Sequence, residues 1–242
     1  RAGKRLTLTE AGRIALDYAD TVFKAGDELM MTLAGRSAAG RQALRVGAVT
    51  TLSRNFQLQF LKPLIARADV ELIVRSGLMR DLLAGLENHA LDVVLANDAV
   101  AADAMAKFRT HRLDAQPVSL VGRPRRGRKL RFPEDLARIP VLLPTLDSGM
   151  RVAFDRSLEL AGIRPIIHAE VDDMAMLRLL ARERDGLTLV PPIVVRDELE
   201  SGVLVEHYRL PDVEERFYAI VSRRRFPNPL LAAVLGSGAA SR

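Results

Sequence analysis

One plan, a short apolar strand, a helix and another short strand, is written twice in this chain, and it limits the fold more than any other feature. In the first half ALRVGAV (43–49) reads as a strand, and SRNFQLQFLKPLIAR (53–67) as a helix that Pro63 should bend or end early. VELIVRSG (70–77) follows as a strand, LMRDLLAGLENHA (78–90) as a helix and LDVVLAND (91–98) as a third strand. The second half runs IPVLLPT (139–145), GMRVAFDRSLELAG (149–162), IIHAEV (166–171), DMAMLRLLARERDG (173–186) and LTLVPP (187–192) in the same alternation. Helices between short buried strands imply βαβ crossovers and parallel pairing. The second copy echoes the first in order rather than in residues, so the expected architecture is α/β with two lobes of similar plan. PVSLVGR (117–123) and ERFYAIVSRR (215–224) are the expected crossings between lobes, with a closing helix at NPLLAAVLG (228–236) against the first lobe.

Composition narrows the function classes. The 242 residues are 48% hydrophobic and 27% charged, which is ordinary for a globular chain long enough to bury a core in each lobe. No apolar run approaches the roughly 18 residues of a membrane span, so no membrane partner is expected. With no Cys there is no disulfide framework and no thiolate chemistry, which fits the reducing cytoplasm, the expected location. A net charge of +6 permits nucleic-acid or anionic partners without specifying either. His89, His111, His168 and His207 are scattered without metal-ligand spacing, so no metal site is expected. LDSGMR is no nucleophile elbow, and neither a P-loop nor a dinucleotide fingerprint is present. No catalytic residue is nominated, no cofactor is implied, and the chain is not expected to be an enzyme. GRPRRGRK (122–129) and RRR (223–225) read as solvated surface rather than as readers of DNA.

Ahead of the first strand lies a different pattern. Thr9 can cap a helix and Glu10 suits its first turn. Ala15, Ala19, Val22, Gly26, Leu29 and Leu33 then alternate at spacings of four and three, the seam of a helix that pairs with another helix. Ile14, Tyr18, Phe23 and Met30 widen the stripe. A helix packed on its own domain would show the same periodicity, and the pattern leaves both open. GRSAAGRQA (35–43) reads as a linker.

The opening GKRLTLTEAGR resembles the end of the wing and the start of the linker helix in LysR-type transcriptional regulators: Arg5, Leu6, one residue, then Leu8-Thr9-Glu10-Ala11-Gly12. LRVGAV, LLAGLENHALDVVLAND and LLARERDGLTLVPP fit the same family in order and spacing. TTLSRNFQLQFLKPL looks most like its regulators of sodium/proton antiport. The resemblance implies a type 2 periplasmic-binding-protein fold, an effector between the lobes, and a homodimer, with a tetramer as the further option. DNA would be met only through a winged helix-turn-helix missing ahead of this chain. The implied division is a wing remnant at 1–8, a linker and dimerisation helix at 9–40, a first lobe of 41–117 and 222–242, and a second lobe of 118–221. A solute-binding receptor for transport and an enzyme on the same scaffold are the alternatives.

The residues locate a site independently of that family. Ligands of open parallel sheets sit beyond the carboxyl ends of the strands, where helix N-termini point. Thr50, Thr51 and Ser53 follow the first strand, Ser76 ends the second, and Asn97 and Asp98 end the third. Asp147, Ser148 and Arg151 stand at the equivalent place in the second lobe, with Thr145 beside them; Asp172 and Asp173 follow the next strand. Single Thr, Ser and Asp residues at helix starts are ordinarily caps, so the cluster matters because its loops should converge. Hydroxyls, helix N-termini and Arg151 favour an organic anion, and a carboxylate-bearing metabolite is the preferred effector. The Asp residues suit a cation or an amine, which keeps a sodium-linked or cationic signal as the second option.

Overall fold

The computed structural model describes residues 8–34, 41–125, 127, 129–224 and 226–236. Most of the expected wing remnant (1–8) and linker (35–43) lies outside these residues, as do positions 126, 128 and 225 of the two basic runs. The chain begins with helix α1 (Glu10–Ala34). The first repeat follows as β1 (Gln42–Val49), α2 (Arg54–Ile65), β2 (Val70–Gly77), α3 (Met79–Glu87) and β3 (Val93–Ala96). A long strand, β4 (Phe108–Gly122), leads to the second repeat: β5 (Val141–Pro144), α4 (Gly149–Leu160), β6 (Ile167–Val171), α5 (Met174–Glu183) and β7 (Leu187–Val190). A short turn of helix α6 (Arg196–Glu200), the long strand β8 (Val205–Ser222) and α7 (Leu231–Leu235) complete it.

The strands hydrogen-bond in the order β2-β1-β3-β8-β4-β7-β5-β6, which reads the same way inward from either edge. β1 pairs parallel with β2 and β3, and β5 parallel with β6 and β7. The fourth strand of each half is antiparallel: β8 against β3, and β4 against β7. β4 and β8 pair with each other along nearly their whole length, so an antiparallel ribbon ties the two halves together.

Each half has its own core. The first gathers Leu44, Phe56, Phe60, Leu86, Val93 and Leu95 with Phe217, Ala219 and Ile220 from β8 and Leu230 and Leu231 near the C-terminus. The Phe56 and Phe217 rings stack with centroids 4.1 Å apart. The second core gathers Leu142, Phe154, Leu158, Leu177 and Leu189, and takes Leu210 from the earlier part of β8. The ribbon passes from one core to the other where its ladder is irregular: Ser119 pairs with Arg209 but Pro117 with Glu214, so β8 carries extra residues there.

Local chemistry accounts for the element ends. Ser53 accepts a bond from Phe56 N (3.3 Å) and caps α2; Asp173 accepts from Ala175 N and Met176 N and caps α5. Pro63 sits inside α2, which ends two residues later at Ile65. Gly47 lies beneath α3; a Cβ there would meet Leu91 Cδ1 at 2.8 Å. Buried Asp92 accepts from Arg45 N (2.8 Å), Arg224 Nη1 (3.1 Å) and Asn228 Nδ2 (3.0 Å), anchoring the chain after β8 to the first core.

α1 keeps much of its apolar stripe in solvent. Ile14, Tyr18, Val22, Phe23, Leu29 and Met30 are all exposed. Of the expected seam, Ala15 is exposed, Ala19 half-buried, and Gly26 has open space around it; the side chain of Leu33 lies outside the described residues.

Candidate functional site

The parallel strands of both halves deliver their carboxyl ends to one cleft of about 1000 Å³. From the first half come Val49, Thr50 and Thr51 after β1, Gly77 and Leu78 after β2, Asn97 and Asp98 after β3, and Met79 and Leu83 on α3. From the second come Asp147, Ser148, Gly149 and Met150 at the start of α4, and Met174 at the start of α5. The crossing ribbon contributes Pro117 from β4, and Leu210, Val213, Glu214, Glu215, Arg216 and Tyr218 from β8.

Of the residues nominated from sequence, Thr50, Thr51, Asn97, Asp98, Asp147 and Ser148 line this cleft. The other six are not in the lining: Asp173 caps α5 and Thr145 donates its hydroxyl hydrogen to Asp147. Ser53 is buried as the cap of α2. Ser76 accepts from Arg54 Nη1 (2.8 Å). Arg151 corrects the expectation of an anion-binding guanidinium. It is 4% exposed and donates to Asp155 (2.7 Å), Glu170 (2.6 Å) and the Pro144 carbonyl (2.8 Å). Those acceptors turn it into the support of α4, because a buried guanidinium must satisfy its donors locally. Asp172 is exposed on the loop before α5 and is not among the lining residues.

The electrostatics of the cleft are acidic. Asp98, Asp147, Glu214 and Glu215 line it, against Arg216 as the cation in the lining. Thr51 donates its hydroxyl hydrogen to Asn97 Oδ1 (3.2 Å), and the Asn97 amide donates to Glu215 Oε1. This relay fixes the Asn97 amide, with its oxygen toward Thr51 and its nitrogen toward the acid. Glu215 is 7% exposed. Burial pushes its carboxyl up to about 7; the Asn97 hydrogen bond opposes the rise and the Asp98 charge adds to it. Across the cleft Ser148 stands at the head of α4, buried, and its side chain closes no cap bond to the helix. Asp147 accepts instead from the Thr145 hydroxyl.

The model of the LysR substrate binding domain matches residues 37–237. The chain belongs to that family. The transcriptional activator protein NhaR of Escherichia coli (strain K12) is 22% identical over 239 residues, covering 97% of this chain and 77% of NhaR. The regulatory domain of HypT from Salmonella typhimurium, in its apo form, superposes with a TM-score of 0.63 at 17% identity, over 79% of this chain and 91% of that one. A LysR family transcriptional regulator from Pseudomonas aeruginosa gives a TM-score of 0.62 at 17% identity, over 95% of this chain and 81% of that one. The two-lobed, curled-sheet architecture is that of the LysR effector domains, the type 2 periplasmic-binding-protein plan. Among the described residues no helix is long and apolar enough to cross a membrane.

In this LysR-family chain the sequence reading missed the ribbon's share of the cleft. Glu215, Arg216 and Tyr218 fall in the expected crossing strand 215–224 and Glu214 lies just ahead of it; none of the four is among the nominated site residues. The adjacent Glu214-Glu215 pair, polar just ahead of the apolar FYAIV run, was the available signal. What the sequence does not display is the irregularity at Pro117 and Glu214 that brings this segment to the strand ends.

Proposed function

We propose that this chain is the effector-binding and oligomerisation part of a LysR-type transcriptional regulator, that a small-molecule effector binds in the cleft between the lobes, and that α1 pairs subunits. The family is one of transcriptional regulators that bind small-molecule effectors and DNA and assemble as oligomers. The observation that carries the reading is the convergence of both lobes' strand ends and the ribbon on one cleft. A ligand there touches both cores and the ribbon joining them, so it can bias how the lobes sit. The assignment of residues 9–40 to dimerisation rests on the exposed apolar stripe of α1. For the two lobes we propose a return to the first lobe earlier in β8 than the expected residue 222, which is supported by Phe217, Ala219 and Ile220 packing in the first core and Leu210 in the second.

The lining supports a proposal for the charge of the effector. Of the features that favoured an anion, the hydroxyls and helix N-termini remain in the lining, but Arg151, the one cation among them, is engaged below α4. Four carboxylates in the lining favour a ligand that carries positive charge, the second option of the sequence reading.

Gly149 supplies the test. It lines the cleft, and a Cβ added to it meets nothing within 4 Å. Gly149→Leu should therefore fold normally and obstruct the cleft beside Ser148, where both lobes' loops meet. Any effector that shifts the melting temperature of the parent chain should fail to shift that of the variant. An effector response that survives Gly149→Leu would move the site elsewhere.

A further inference from the structure

Glu215 is a buried carboxylate that faces the cleft, and among the described residues it has no cationic partner. Its hydrogen-bond donor is the neutral Asn97 amide, and its charged neighbours include another acid, Asp98. A carboxylate accepts at about four lone-pair positions, and one amide leaves most of them open toward the cleft. A buried charge ordinarily has a counter-charge, because solvation lost on burial is otherwise unreplaced. Elsewhere in this molecule the rule holds: Asp92 has Arg224 and Glu198 has Arg178. Opposite stands Ser148, nine-tenths buried with no side-chain bond to its helix.

The wall next to these polar groups is apolar. Leu78, Met79 and Leu83 at the head of α3, with Val100 and Ala101 after β3, line the cleft, and Leu78 is 54% exposed there. The space is also large. At about 1000 Å³ it would hold a bare ion only as one occupant of a water-filled cavity. Among the described residues no three His, Cys, Asp or Glu side chains converge closely enough to hold a metal ion.

We infer that the effector is an organic amine, its ammonium set against Glu215 and held in register by the Thr51–Asn97 relay, its apolar part against Leu78, Met79 and Leu83. This rests on the cleft being the effector site. The ammonium supplies the counter-charge that the fold omits, donates to the open lone pairs of Glu215, and lies within the field of Asp98 and Glu214. The apolar wall then selects against small hydrated cations, and the acids select against carboxylates.

The experiment compares four solutes at equal ionic strength: phenethylamine, isoamylamine, isovalerate and sodium chloride. Melting temperature and calorimetric affinity are read for the parent chain, Glu215→Gln and Gly149→Leu. Gln keeps the shape and the Asn97 contact, so folding is retained. The two amines should stabilise the parent chain and the other two solutes should not. Glu215→Gln should weaken amine binding about tenfold or more, the scale of a lost charge-assisted hydrogen bond. Amine binding that ignores Glu215→Gln, an equal response to sodium chloride, or no response to either amine overturns the inference. Isovalerate binding that is lost in Gly149→Leu but kept in Glu215→Gln would refute the amine and leave the cleft standing. Binding of any solute unchanged by Gly149→Leu would refute the cleft itself.

Discussion

Glu215 concentrates the chemistry of the molecule in one side chain, and its protonation leaves a signature in stability. Its carboxyl is raised from an ordinary 4.5 to about 7. Between those values the folded chain binds more protons than the unfolded chain, so stability falls as pH rises through the window and is greatest below it. The 2.5-unit difference corresponds to a loss on the order of 3 kcal/mol between pH 4.5 and pH 8. Glu215→Gln removes that loss. The variant should match the parent chain near pH 4.5 and melt higher at pH 8, by urea or thermal unfolding. Parallel pH profiles for the two proteins would mean that Glu215 titrates normally. Residue types were legible in the sequence at this scale, but their direction was not. Thr51 and Ser148 reached the cleft because they follow strand ends. Arg151, in the first turn of α4, was drawn under the helix by Glu170 on β6 and the Pro144 carbonyl, partners that only the sheet brings close.

At the scale of elements, the parallel strands β3, β5 and β7 were legible because they are short, nearly all apolar runs, buried at every position. β4 and β8 were recognised only in part. β4 starts at Phe108, well before the expected 117, and its early stretch RTHRLDAQ is polar because much of it is only partly buried. The ribbon also makes one steric demand. A Cβ on Gly122 would lie 2.5 Å from the Gly186 carbonyl oxygen, a backbone atom with no rotamer by which to withdraw. Gly122→Ala should cost about 1–3 kcal/mol, read as a lower urea midpoint with an unchanged slope. An unchanged midpoint would mean that β4 and β7 separate without strain. α1 raises the opposite case, an element with an exposed apolar stripe that we propose pairs with a second subunit. Its exposed Val22 and Leu29 are the seam residues to change. Val22→Asp with Leu29→Asp should reduce the dimer fraction in light scattering, because buried unpaired carboxylates cost several kcal/mol. An unchanged mass would place subunit pairing on the lobes alone.

For the whole molecule, the twice-written strand–helix plan was enough to anticipate two similar lobes, and the mirrored strand order shows why they sit as they do. Each lobe is closed by an antiparallel strand of one shared ribbon, so neither lobe can move without bending it. The cleft lies where that ribbon is irregular and therefore most easily reshaped. A ligand at this place would contact the loops of both lobes and the ribbon together. Hydrogen–deuterium exchange with saturating phenethylamine tests that claim most directly. The account predicts slower exchange in three segments at once: 97–101 in the first lobe, 147–150 in the second, and 213–218 in the ribbon. Slowing confined to one lobe, or found only outside these segments, would contradict it.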